Sequence, residues 1–275
     1  MRRPYLASLL LTALLLPGAT YGAPFAAGLP GQIEGAAGGI LTPGPQLAGT
    51  GDPVSGNVAI THARLTDVQF TAIGASLTLD DRLELSAAQP NLGAGSSDDV
   101  RQNVFAARLR LAGSASAPLR PAASLGVTHR RQRDFGLEER IGMAPERRND
   151  WDATLSTGGG YRFGPAQAVL LHATARYTRA NSGGLFGFGN AENDQHRVQL
   201  EGAIHTSLTR RLSLSGEYRE HRHQPAADPG DPWWSAYAGY GINDEVHLAL
   251  GWQDLGRLGG KPRQNGPFIA LRGRY

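Results

Sequence analysis

Gly266-Pro-Phe-Ile-Ala-Leu-Arg-Gly-Arg-Tyr275 closes the chain and decides how the rest of it is read. With a period of two, Ile269, Leu271, Gly273 and Tyr275 fall on one face, and Ala270, Arg272 and Arg274 on the other. A strand of a soluble sheet has little use for arginines alternating behind a terminal aromatic. A transmembrane β-barrel does: lipid takes the apolar face, the lumen takes the polar one, and aromatic rings settle at the bilayer interfaces. The stretch therefore predicts an all-β fold, a single transmembrane antiparallel barrel.

The opposite end agrees. Met1-Arg-Arg-Pro4 is basic, residues 5–16 are an apolar core, and Thr20-Tyr-Gly22 with Ala23 offers small residues for cleavage. This is the pattern of a secretory signal peptide over residues 1–22, with an apolar run too short for a membrane-spanning helix. The mean hydropathy of −0.31 is what a barrel gives, since half of every strand faces water or a polar lumen.

Residues 23–55 are rich in Gly, Pro and Ala and carry no sustained period, so they read as an irregular N-terminal segment. From residue 56 to 275 the period becomes two, broken by turn residues. The runs are 56–65, 69–79, 82–89, 102–113, 122–133 and 150–163, then 166–179, 196–207, 212–221, 233–240, 245–254 and 266–275. Twelve runs make the even number that single-chain bacterial barrels use. Short connections (80–81, 113–121, 164–165, 209–211, 241–244) alternate with longer ones (90–101, 134–149, 180–195, 222–232, 255–265), and only the link near Thr66-Asp67 is short where a long one is typical. Short periplasmic turns and long outer loops produce that alternation.

Composition excludes several classes. The chain has no cysteine, which removes disulfides, thiol nucleophiles and cysteine-zinc sites. Its pI is near 9.4, yet the arginines stand singly at alternating positions instead of forming a patch, so nucleic acid is not an expected partner. No G-x-S-x-G, H-E-x-x-H or P-loop motif is present, and neither a catalytic residue nor a cofactor is expected.

The strand faces sort into lining and girdle. Trp151 lies near one end of its strand and Tyr161 with Phe163 near the other; Trp234 and Tyr240 bracket small residues likewise, and Trp252 and Tyr275 complete the expected membrane girdle. The polar faces carry Arg82, Arg108, Arg110, Arg130, Arg162, Arg176, Arg197, Arg219, Arg272 and Arg274 against Glu84, Asp152, Glu201 and Glu217, and of these Arg108, Arg110, Arg176, Arg197, Arg219, Glu201 and Glu217 are the expected lumen lining. An arginine excess would draw anions into the lumen. The other reading is that these charges pair into a ladder filling a narrow barrel. His221 and His223 share a strand face and could hold a metal or act with Glu201 or Glu217, or serve only as polar surface.

Several blocks resemble an uncharacterised family of predicted proteobacterial outer-membrane proteins, known as domain of unknown function 3034. The carrying residues are Gln32-Ile-Glu-Gly-Ala-Ala-Gly-Gly39, Asp81-Arg-Leu-Glu-Leu-Ser86, Arg101-Gln-Asn-Val-Phe105 with Arg108-Leu-Arg-Leu111, and Arg133-Asp-Phe135. Further along come Ala180-Asn181, Gly184-Leu-Phe-Gly-Phe-Gly189, Glu217-Tyr-Arg219 and Asp254-Leu-Gly256. The resemblance implies an outer-membrane barrel and carries no activity; the proline-rich stretch with Pro43 and Pro45 departs from the more strand-like pattern of relatives. The ending in Tyr275 is similar to the C-terminal signal of outer-membrane barrels, usually a Phe, which implies the barrel-assembly machinery as a partner of the last strand.

The sequence thus predicts a barrel in the outer membrane of a Gram-negative bacterium, in contact with outer-membrane lipid. It is expected to be a narrow diffusion channel for small solutes with an anion bias. The alternatives are a closed structural or surface-interaction barrel and a rim-active enzyme of outer-membrane lipid or peptide. The segment with Gln32 and Glu34 is expected either to enter the lumen as a plug or to hang as a periplasmic tail.

Overall fold

The computed structural model describes residues 32–48, 52–93, 99–114, 117, 119–133, 145–190, 194–221 and 230–275; the expected leader lies outside them. The strands are β1 (Val54–Arg64), β2 (Gln69–Leu79), β3 (Leu83–Gly93), β4 (Val100–Ala112), β5 (Ala122–Gln132) and β6 (Asn149–Arg162). They continue as β7 (Ala168–Thr178), β8 (Arg197–Ser207), β9 (Leu212–Arg219), β10 (Trp233–Gly241), β11 (Val246–Leu258) and β12 (Lys261–Arg274). Each pairs antiparallel with its neighbours in sequence, and β1 pairs with β12 to close the barrel. Closure leaves no unpaired sheet edge, which is what lets a sheet cross a membrane.

At the seam, Gly56 and Tyr275 exchange backbone hydrogen bonds of 2.9 and 3.1 Å. A Cβ on Gly56 would stand 2.5 Å from Cζ of Tyr275, so the ring lies where a side chain at Gly56 would be.

The period of two turns directly into an inside and an outside. Val58, Ile60, Ile73, Phe105, Leu125, Leu155, Ile204, Leu250 and Ile269 stand outward and exposed, an apolar belt for lipid. Trp151, Tyr161, Phe163, Trp234, Tyr240, Trp252 and Tyr275 are all on that exterior. The belt with its rings is a membrane-facing surface; in a water-soluble protein it would be an aggregation site.

Two connections differ from the sequence reading. The loop expected at 255–265 is instead the end of a long hairpin, β11 running to Leu258 and β12 starting at Lys261. Asp254-Leu-Gly256 breaks the alternation because it forms a bulge, with register shifts after Asp254 and Arg257 and Gly256 at φ +65°. Asp254 holds it by accepting from the Gly256 amide at 2.8 Å and from Arg263 at 2.6 Å. The tip is Gly259-Gly260, both at positive φ (60° and 72°), the two-residue turn whose twist matches a hairpin. Likewise β3 and β4 reach Gly93 and Val100, which shortens the loop expected at 90–101. Asp80 and Asp81 turn β2 into β3 with φ of 48° and 53°.

The buried core is inside the barrel. Toward one side, β1 to β3 and β10 to β12 present Phe70, Ala72, Leu92, Tyr237, Phe268 and Ala270 inward, and these join one hydrophobic cluster. Across from it, β4 to β9 present Arg108, Arg130, Asp152, Arg176, Glu201, Glu217 and Arg219, all buried.

Candidate functional site

The lumen is occupied. Residues 32–48 lie within it, and those from Gln32 to Pro45 are buried. The segment has no helix or ladder of its own beyond an isolated bridge between Gly38 and Pro43; the amides of Gln32, Ile33, Gly35 and Gly39 bond to carbonyls within it, and its other backbone groups need partners elsewhere. The barrel wall supplies them. Glu217 accepts from the amides of Ile40 and Leu41, each at 2.7 Å, and of Thr42 at 3.0 Å. Glu84 accepts from the amides of Ala37 at 3.2 Å and Ala48 at 2.6 Å. Arg108 donates to the carbonyls of Ala37 at 2.7 Å and Gln46 at 3.2 Å, and also to that of Gly44. Thr174 donates to the carbonyl of Pro43 at 2.7 Å. Gln32 braces the segment internally, its amide donating to the carbonyl of Leu41 at 3.0 Å.

Its side chain of consequence is Glu34. The carboxylate meets Arg130 at 2.8 Å, Arg176 at 3.2 Å and Arg219 at 2.9 Å. Asp152 reaches Arg130 at 3.0 Å and Arg176 at 3.4 Å, while Glu201 reaches Arg176 at 2.5 Å and Arg219 at 3.2 Å. Three guanidiniums and three carboxylates from β5 to β9 and the N-terminal segment therefore form one closed ring of charge. Buried charges persist only when paired and hydrogen-bonded, and here each has at least two partners. Burial pushes the Glu34 carboxyl up, but Arg130, Arg176 and Arg219 overcome it and hold it well below the usual carboxylate range.

Small residues make the close fit possible. A Cβ on Gly39 would lie 2.1 Å from Oε1 of Glu217, and one on Gly74 of the barrel wall would lie 2.8 Å from Cα of Gly35. Gly35, at φ +88°, is the position where the segment turns back.

A second inward element comes from the outer side. In the connection between β7 and β8, a short 3-10 turn at Asn181–Gly184 is followed by buried Leu185, Phe186 and Phe188. Arg130 donates to the carbonyl of Gly183 at 2.9 Å, and Gln132 to that of Leu185 at 2.8 Å. Asn181 fixes the loop through the carbonyls of Phe186 and Gly189. By its length this connection reads as an outer loop; its apolar Leu-Phe-Gly-Phe run is what signals that it turns inward.

The remaining expected lining residues divide. Arg176, Arg219, Glu201 and Glu217 meet around the N-terminal segment, and Arg108 joins Glu84 at 3.0 Å beside it. Arg110 sits toward the other end of the lumen and pairs with Asp81 of the β2–β3 turn. Arg197 keeps the inward parity of Gln199 and Glu201 but is exposed at the outer end of β8, so it stands at the rim and not in the lining. Arg130 and Asp152 complete the ring. His221 packs on Trp233 with ring centroids 4.3 Å apart, and burial together with Arg219 lowers its pKa to about 3; its expected partner His223 lies outside the described residues. Among the described residues no group of three or more His, Asp or Glu side chains is placed to hold a metal.

A family model described as a protein of unknown function (DUF3034) matches residues 27–272, from the N-terminal segment through β12. The chain belongs to that family. Among solved structures, this DUF3034 member is similar to the NanC porin, at a TM-score of 0.52 and 7% identity, over 79% of this chain and 98% of that one. It is similar to the KdgM porin at a TM-score of 0.50 and 10% identity, again over 79% and 98%. These likenesses show that the DUF3034 fold is that of an outer-membrane barrel. No curated protein sequence matches the chain at a significant level.

Proposed function

We propose that the protein is a narrow outer-membrane diffusion channel for small solutes, shut at rest by residues 32–48 and biased toward anions once they withdraw. The observation that carries this reading is the position of Glu34. While it is seated, Arg130, Arg176 and Arg219 meet three carboxylates. Once it leaves, the same ring keeps three guanidiniums against Asp152 and Glu201, a net positive constriction of the kind that admits anions and repels cations. The likeness to porins supports a channel through its fold alone.

A second reading is favoured by the bonds from Glu84, Arg108 and Glu217 to the backbone of the segment. They would equally suit a barrel that never opens and serves a structural role. Single-channel recording of the refolded protein in a planar bilayer under a salt gradient separates the two. A channel gives rare openings in the wild type, and frequent, anion-selective openings in Glu34→Ala. Silence from both proteins, with folding verified by heat-shifted gel mobility, would leave the structural barrel.

A further inference from the structure

We infer that the place held by Glu34 and its neighbours is a binding site for an organic carboxylate with an apolar, ring-bearing body, and that such a ligand displaces the segment by taking its contacts. The inference rests on the channel reading above and names its solute class.

Two surfaces of opposite character meet at this place. One is the ring of Arg130, Arg176 and Arg219, each within 3.2 Å of the Glu34 carboxylate. The other is the apolar side of the lumen, where Trp233, Tyr237, Phe268 and Phe186 belong to one buried cluster. Arg219 is the junction. Its guanidinium carbon is 5.8 Å from the centroid of Trp233, while its nitrogens hold Glu34 and Glu201. Tyr237 and Phe268 continue the wall edge to face, with centroids 5.8 Å apart.

The seated segment shows what such a place accepts. It offers one carboxylate to the arginines, and its Ile33, Ile40 and Leu41 join the apolar cluster. An inorganic anion would use the arginines and leave the wall wet. A neutral hydrocarbon would use the wall and leave three guanidiniums against only two carboxylates, which is costly for buried charge. A monocarboxylate on an aromatic or alicyclic ring satisfies both surfaces, and a flat ring suits Trp233 and Phe268 by offset or edge contacts. Binding is then coupled to opening, because ligand and segment compete for the same contacts. A ligand shifts such an equilibrium only by its difference in affinity between the two states, and here the shut state offers it no site.

The test uses the full chain carrying Glu34→Ala, folded in detergent, with the temperature of heat-modified gel mobility as readout. Benzoate and cyclohexanecarboxylate should raise that temperature saturably and bind about tenfold tighter than acetate, a modest demand on the apolar area of a ring. Benzyl alcohol should have no effect, and adding Arg219→Gln should abolish the response to benzoate. Equal responses to acetate and benzoate, or none to either, would overturn the site. Should Glu34→Ala fail to fold, the wild type answers in a bilayer: benzoate on one side should raise its opening frequency where acetate does not, and equal effects would overturn the site. The two readings fail separately. A protein that conducts without discriminating benzoate from acetate keeps the channel and loses the ligand; one that binds benzoate but never conducts keeps the ligand and loses the channel.

Discussion

Glu217 and Ile40, 177 positions apart in sequence, are joined by a 2.7 Å hydrogen bond from the Ile40 amide to the Glu217 carboxylate. The same carboxylate takes the amides of Leu41 and Thr42 and the hydroxyl of Tyr237 at 2.6 Å. One side chain thereby terminates three backbone donors that no secondary structure satisfies. Hydrogen bonds to a charged group contribute about 1.5–3 kcal/mol each, so this is a main anchor of the segment. Glu217→Gln should weaken docking by about 2 kcal/mol, since one amide oxygen replaces two charged ones. Hydrogen exchange at Ile40, Leu41 and Thr42 should accelerate about thirtyfold while the strand amides stay protected. Unchanged exchange at those three amides would mean that the anchor lies elsewhere.

Gly39→Ala tests the same anchor by shape. A methyl there would stand 2.1 Å from Oε1 and 2.2 Å from Cδ of Glu217, so carboxylate and segment cannot both keep their places. The variant should retain the heat-shifted mobility of a folded barrel and open more often in a bilayer. Combined with Glu217→Ala, which removes the obstructing atoms, its effect should fall well short of additive.

Acidity gives a third check. A carboxyl held low in the folded state contributes stability that is complete above its unfolded pKa of about 4.3 and is lost as pH falls through the folded value. Glu34 lies well below the usual range, so its hold on the segment is constant through neutral and mildly acidic pH and fails only in strong acid. His221, beside the ring, is already neutral above a pKa of about 3. Glu34→Gln should therefore open more often than the wild type at both about pH 5 and about pH 8. A wild-type protein that opens steeply between those values would show that another group controls the segment.

The β11–β12 tip supplies a prediction about the outer cap. Gly259 and Gly260 have φ of 60° and 72°, where an L residue costs roughly 1–2 kcal/mol. Gly260→Ala should lower the heat-modification temperature by that strain alone. Gly259→Ala should do more, because its Cβ would also come within 2.8 Å of the Phe186 ring and push the cap outward. Equal effects of the two substitutions would show that the Phe186 contact contributes nothing.

What the sequence made legible follows from which interactions have a period. Every strand announces itself because lipid and lumen impose alternation on neighbours two residues apart, as in Trp151, Ala153 and Leu155 against Asp152 and Thr154. The exterior rings were readable for the same reason. The charge ring was not. Glu34 lies 142 residues from Arg176 and 185 from Arg219, in a stretch without period, so nothing local distinguishes a carboxylate that enters the lumen from one that stays outside. Counting the inner face sets the arginines in excess over Glu84, Asp152, Glu201 and Glu217; the charges outside that count are Glu34 of the segment and the turn residue Asp81. The long final hairpin was hidden because the bulge at Asp254-Leu-Gly256 looks locally like the end of a strand.

The distribution of the polar anchors around the barrel bears on how the protein is assembled. Glu84, Arg108, Arg130, Thr174, Arg176, Glu217 and Arg219 all belong to strands from β3 to β9, while β1 and β12, which meet at the seam, give Ala63, Phe268 and Ala270 to the apolar cluster that Ile33, Ile40 and Leu41 join. A partly built, still open sheet thus already offers these charged handholds to the N-terminal segment. The segment can be gripped first and the seam zipped over it afterwards, with Tyr275 settling against Gly56 as the final stitch. A barrel made in that order is tight from the moment it closes, and the envelope is spared a leaking intermediate.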